Sequence, residues 1–311
     1  MNKLTDAHGL MDQEAAALLT RLGRVKPFAL TMPMAPAAAP SPAAQKGIER
    51  YLIQGRRQLR RMVQRYRAWL ASPPGRRATP AHVQRRYALL KLLFNKVLTQ
   101  FDLFADVLTQ RSEHENGVWL SGLDVVSADA LELRGRYYTA PPVLCYLDRG
   151  HGAAIRRART RLPGGGKNPV AIIRVPRERM VGSGIGSSLI HEVGHQGAAL
   201  LGLVDSLRAD LRKIQVSDPA LRAVWPLWDR WISEIVADFW ALAHLGVGST
   251  LGLIGVVSLP RAFVFRTNLD DPHPVPWTRV RLSCAMGGAL FPDPQWKQLS
   301  GLWGKLYPLR G

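Results

Sequence analysis

The 311-residue chain is 47 % hydrophobic and 21 % charged, an ordinary globular composition that excludes disorder along the whole length. Its charge balance is not ordinary. Forty-two Lys and Arg against 23 Asp and Glu give a net charge of +19, a field that favours nucleic acid, anionic lipid or acidic protein as partner but says nothing about fold.

The start, MNKLTDAHGLMDQEAAALL, carries Asp6, Asp12 and Glu14 where a secretion signal needs an apolar centre, so a cytoplasmic protein is expected. Leu10, Ala17, Leu18 and Leu22 recur at roughly helical spacing and predict one amphipathic helix over residues 1–24. The following PFALTMPMAPAAAPSPAA (27–44) holds five prolines. That is linker composition, extended rather than packed, and sets a domain boundary near residue 45.

GIERYLIQGRRQLRRMVQRYRAWLAS (47–72) places Leu52, Leu59, Val63, Tyr66 and Leu70 on one face and most of its arginines elsewhere. PPG at 73–75 stops it. A second long helix is predicted over 79–117, with Thr79 as cap and Pro80 in the first turn. The two should pair as a basic antiparallel hairpin over 46–117. Its arginine face could engage nucleic acid or another acidic partner; a solvated helix face is the plainer reading.

From 118 to 180 the texture changes to short β-like runs, VWLSGLDVV, ALELRGRYYT, PVLCYLD and PVAIIRVP, separated by turn residues such as RGHG and LPGGGKNP. RRARTRLPGGGK (156–167) lacks the G-x-x-x-x-G-K-[ST] spacing of a phosphate loop, with Asn168 where Ser or Thr is needed, and reads as a basic hairpin. Residues 183–311 read as mostly helical. Their longest apolar run, LGVGSTLGLIGVVSL (245–259), is short for a membrane span and holds four glycines, so it predicts a buried helix or turn-rich core. Cys145 and Cys284 form no ligand cluster and no disulfide framework; two buried thiols are expected. His151 reads as a turn residue and His244 as a core or helix-surface histidine.

The chemistry concentrates in SSLIHEVGHQGAALLG (187–202). On a helix, His191 and His195 lie one turn apart on one face, where two imidazole nitrogens can meet one Zn²⁺. Glu192, beside the first histidine, can take a proton from the activated water. A zinc site of this kind needs a third ligand, and WISEIVADFWALAHLG (231–246) offers Glu234, with Asp238 one turn on to receive the free ring N–H of a ligating histidine. Unpaired charges among Ile, Val, Phe and Trp would be costly. Gly194 and Gly197 would let another element approach closely.

HExxH followed by ExxAD resembles the gluzincin class of zinc metallopeptidases. DPHPVPWTRVRL (271–282), with His273-Pro274 and Arg279 six residues after the histidine, is similar to the H-P-x-x-x-x-R segment of the C-a-a-X prenyl protease type and its soluble relatives. The resemblance spans roughly residues 170–285. It implies an α+β fold with a zincin-like metallopeptidase core over 118–311, a small β-sheet plus active-site helix and Glu helix, preceded by an N-terminal helical region. It also implies one catalytic zinc on His191, His195 and Glu234, Glu192 as general base, His273 at the substrate and oxyanion, Arg279 supporting the site, and a peptide or protein as substrate. An edge strand that pairs with extended substrate is expected of such a core, and 168–176 stands just before the active-site helix. The chain departs from the pattern in its shorter His195–Glu234 interval, 39 positions, and in lacking flanking membrane helices. Tyr137 and Tyr138 are alternative oxyanion donors, and Cys145 either a latency ligand or, more simply, a core thiol. The rival functions are a zincin-like scaffold that binds nucleic acid or a partner through its basic helices, and a toxin-like peptidase exported without a signal.

Overall fold

Several helices begin where the chain offers a hydroxyl followed by proline. Ser41 accepts from the Ala44 N–H and Thr79 from the His82 N–H, each with a proline inside the first turn. The structure, a computed structural model, describes residues 3–25, 33–149, 152–163, 166–177, 183–217, 224–268 and 270–309. It is α+β and mostly helical, with twelve α-helices and one three-stranded mixed sheet among the described residues. The chain falls into two compact units, one of residues 1–121 and 158–170, the other of 122–157 and 171–311.

In the first unit, α1 (Lys3–Arg24), α2 (Pro42–Ala71), the single turn α3 (Pro73–Arg76) and α4 (Pro80–Thr109) pack together. The predicted hairpin is present: the Tyr66 hydroxyl donates to Val83 O at one end of the pair, and Tyr51 meets Phe101 and Phe104 at the other. Leu52, Leu59, Val63, Tyr66 and Leu70 are all buried. In α1 the buried face is Ala15, Leu18 and Leu22; Leu10 and Ala17, assigned to it by spacing, are exposed. In the segment read as a basic hairpin (156–167), an antiparallel bridge joins Arg161 and Lys167, and Arg159 adopts left-handed backbone at φ 64°.

Two sequence expectations fail here. The second helix does not run to 117: it ends at Thr109, a 3₁₀ turn follows at Gln110–Ser112, and α5 covers His114–Leu131. VWLSGLDVV is therefore helix rather than strand. Its β-branched residues suggested a strand, but Leu120, Ser127 and Leu131 are the buried positions while Val118, Val125 and Val126 are exposed, a helical period that overrides intrinsic preference. ALELRGRYYT contributes the end of α5 and an irregular segment with Gly135 at φ 120°.

The second unit holds the sheet, β1 (Val143–Asp148), β2 (Ala154–Arg156) and β3 (Ala171–Pro176), in the order β1-β3-β2. β1 and β3 are parallel, with Cys145 opposite Ile173, and β2 joins β3 antiparallel. The two parallel strands are buried nearly throughout, as parallel strands are when both faces are covered. β3, the strand expected at the edge, is thus central, and β1 and β2 are the two edges.

Seven helices follow: α6 (Ser183–Leu201), α7 (Leu203–Ser217), α8 (Trp225–Leu245), α9 (Val247–Val257), α10 (Arg261–Val264), α11 (Pro276–Leu290) and α12 (Gln295–Leu306). The apolar run at 245–259 contains α9, entered through Gly246 at φ 54°; the helix is half-buried, with Leu253 and Val257 inside and Leu251 exposed. Among the described residues no helix is long and apolar enough to cross a membrane. Cys145 and Cys284 are buried thiols, the former in β1. A second core gathers Leu253, Val257, Val264, Val280 and Trp303.

The crossing of α6 with α8 positions everything that follows. A Cβ on Gly194 would stand 2.9 Å from Ala237 Cα, and one on Gly197 within 2.5 Å of the Trp240 ring. Gly194→Ala should therefore destabilise the protein by about 1–3 kcal/mol through overpacking. Gly255→Ala in α9, where a Cβ meets nothing within 4 Å, should stabilise it by about 0.5–1 kcal/mol. Urea unfolding of both variants checks the opposite signs.

Candidate metal centre

His191 and His195 project from α6 toward α8, flanked on their own helix by the buried Ile190, Val193 and Ala198. Their rings stand nearly perpendicular, at 87° with centroids 4.8 Å apart. From α8, Glu234 and Asp238 face them one turn apart. Three imidazoles converge on one carboxylate oxygen: Glu234 Oε2 lies 3.2 Å from His191 Nε2, 3.5 Å from His195 Nε2 and 3.2 Å from His273 Nε2.

His191, His195 and Glu234 form a group that could hold a metal ion, with one ligand atom from each all within 4.8 Å of one another. The donor set suits such an ion. Ligands bound at about 2.1 Å around a tetrahedral centre stand roughly 3.4 Å apart, and the two nitrogen–oxygen separations bracket that length at 3.2 and 3.5 Å.

Behind the group runs a chain of hydrogen bonds that fixes its orientation. Asp238 Oδ1 is 2.8 Å from His191 Nδ1, so the opposite nitrogen of that ring is presented to the site. Arg279, from the first turn of α11, donates to both oxygens of Asp238 at 2.6 and 2.7 Å, a bidentate pair buried on both sides. Ser233 Oγ is 3.4 Å from His195 Nδ1. Asp271 holds His273 in the same manner, with Oδ1 2.8 Å from Nδ1.

Sequence reasoning missed Asp271 and Ser233. The signal for Asp271 was its place two residues before His273 in DPHP, where a short loop returns the carboxylate to the ring. Ser233 offered none beyond adjacency to Glu234.

The electrostatics follow from burial and pairing. Burial pulls the His191 imidazole down, but its bonds to Asp238 and Glu234 outweigh that and push it up to about 9. Burial raises Glu234 and Asp238, yet the three imidazoles on the first, and Arg279 with His191 on the second, hold both well below the ordinary carboxylate range. Glu192 differs: burial pushes its carboxyl up, against the opposing pull of His191 and His195. His273 is raised, first by its bond to Glu234. Its side chain is 45 % exposed against 10–17 % for His191, His195 and Glu234, so a molecule arriving from solvent reaches it first.

A cleft of about 120 Å³ reaches the group at His191; Ser187, Glu192, His273 and Arg279 line it, as do Gly152 and Ala153 just ahead of β2. Tyr137 is 71 % exposed and Tyr138 donates to Leu131 O; neither lines the cleft. Cys145 lies in β1 with Ser127 Oγ 3.6 Å from its sulfur, away from the cleft lining. His244 stacks on Trp240 and donates to that residue's carbonyl, a local helix contact. His151 lies outside the described residues. No protein-family model, curated protein or solved structure matches the chain.

Two outcomes follow for metal uptake. The chain should bind one equivalent of a divalent transition metal, and His195→Ala should lose it, as read by equilibrium dialysis against Co²⁺. Because His191 keeps its proton up to about 9, binding must displace that proton. Apparent affinity should therefore rise with pH from 6 to 9, by up to about tenfold per pH unit for each proton released. Titration in weakly buffered solution reads the release directly.

Proposed function

We propose that the chain is a zinc-dependent metallopeptidase with a zincin-like core of the gluzincin type, built from the three-stranded sheet, α6 and α8. The observation that carries this reading is the convergence of His191, His195 and Glu234, with Glu192 sharing the cleft with His191 and Asp238 clamping the first imidazole. A scaffold kept only to bind a metal needs no general base beside its ligands. A zinc ion held by these three residues would polarise the scissile carbonyl and acidify the attacking water.

The remaining roles belong to the chain. Glu192, whose proton affinity is raised by burial, takes the proton of the attacking water and passes it to the leaving amine, work that suits a carboxyl tuned upward from its usual range. His273, held by Asp271 and open to solvent, rests with its Nε2 on Glu234; with Glu234 engaged by a metal, that nitrogen would be released to donate to the oxygen that gains charge. Arg279 acts through Asp238: it fixes the carboxylate that fixes the His191 tautomer. The edge strand β2, whose approach residues Gly152 and Ala153 line the cleft, is the strand beside which an extended peptide would add.

Glu192→Gln tests the reading most directly. It should retain its zinc, since Glu192 is not a ligand, while cleavage of an unstructured protein such as casein falls by about 10²–10⁴-fold. Undiminished cleavage by zinc-loaded Glu192→Gln protein would end it.

A further inference from the structure

We infer that the outer face of α4 is a docking surface for an anionic lipid bilayer, which the protein binds peripherally. The proposal is independent of the metal centre. Helix α4 is apolar on two sides. Its inner side buries Val83, Tyr87, Phe94, Val97, Phe101 and Phe104. Its outer side leaves Leu89, Leu92 and Leu93 at 63, 67 and 40 % exposure, interleaved with the exposed cations Arg85 and Lys96.

At 100° per residue these five positions share one face, and from 85 to 96 they span about 16 Å. No Asp or Glu occurs anywhere between Pro80 and Phe101. In the same unit α2 also carries the exposed Lys46, Arg50, Arg57, Arg60, Arg61 and Arg65, with Glu49 the helix's one acidic residue. Neither Arg85, Lys96 nor these six forms an ion pair among the described residues.

The leucines decide between anionic partners. A nucleic-acid backbone uses the cations and has no use for three neighbouring leucines, which would remain in water. A bilayer surface uses both at once: the leucines enter the boundary between headgroups and acyl chains while the long cationic stems reach up to the lipid phosphates. The absence of any helix fit to cross a membrane among the described residues makes this a surface attachment.

Flotation of the full chain with vesicles tests it. The protein should float with equimolar phosphatidylglycerol and phosphatidylcholine vesicles at physiological salt and stay behind with phosphatidylcholine alone. The Leu89→Gln/Leu92→Gln variant, checked for unchanged circular dichroism and melting temperature, should lose about tenfold or more in partitioning. Arg85→Glu/Lys96→Glu should do the same. A polarity-sensitive fluorophore on Leu92→Cys should shift to the blue on the anionic vesicles, which reads insertion without relying on the double variants. Failure of the wild type to float, flotation unaffected by the leucine changes, or an unshifted label would overturn the proposal. So would duplex DNA binding that outcompetes the vesicles and survives the leucine changes, which would assign the face to nucleic acid.

Discussion

Two carboxylates buried in one apolar helix set the terms for the second unit. Glu234 and Asp238 sit in α8 among Ile235, Val236, Ala237 and Trp240, all buried. A lone carboxylate in such surroundings either protonates or destabilises the fold by several kcal/mol. The unit answers with four groups: two imidazoles from α6, one from the loop before α11, and the Arg279 guanidinium from α11 itself. The helices are thus tied by the need to neutralise α8 as well as by apolar packing. This arrangement also separates two kinds of acid around one pair of histidines. Glu234 and Asp238 are compensated and stay ionised, whereas Glu192, with less compensation for its burial, is pushed toward holding a proton. A site whose neighbouring carboxyls diverge in this way is suited to acid–base work.

Much of this organisation was legible in the sequence because it is local. The spacing of His191 with His195, and of Glu234 with Asp238, places each pair on one side of its own helix, and the apolar flanks mark both helices as buried. The α2–α4 hairpin was legible for the same reason, from its caps and its 3.6-residue apolar period. What the sequence hid is what depends on a partner. Residues 118–126 look like strand because they are rich in valine, yet the buried positions Leu120 and Ser127 are fixed by neighbours that composition cannot supply. The order of the sheet was equally hidden. Whether β3 lies at an edge or in the centre depends on a three-residue strand, β2, too short to announce itself. Asp271 escaped because its role arises from the turn that folds it back on His273.

The glycines of α6 connect packing to chemistry. Gly194 and Gly197 weaken their own helix, since glycine in a helix interior costs about 1 kcal/mol relative to alanine. In return the α8 backbone comes so close that a single methyl on Gly194 would strike Ala237. Asp238 has only one methylene between its carboxylate and the main chain, and it must still touch both His191 on α6 and Arg279 on α11. A crossing wider by even the thickness of a methyl group would lengthen the 2.8 Å contact to His191 beyond hydrogen-bonding reach. A glutamate could span the gap, but with an added torsion that would loosen the ring it is meant to hold. Helix stability is lost at the two glycines, and what it permits is the short, stiff carboxylate that orients the first imidazole of the group.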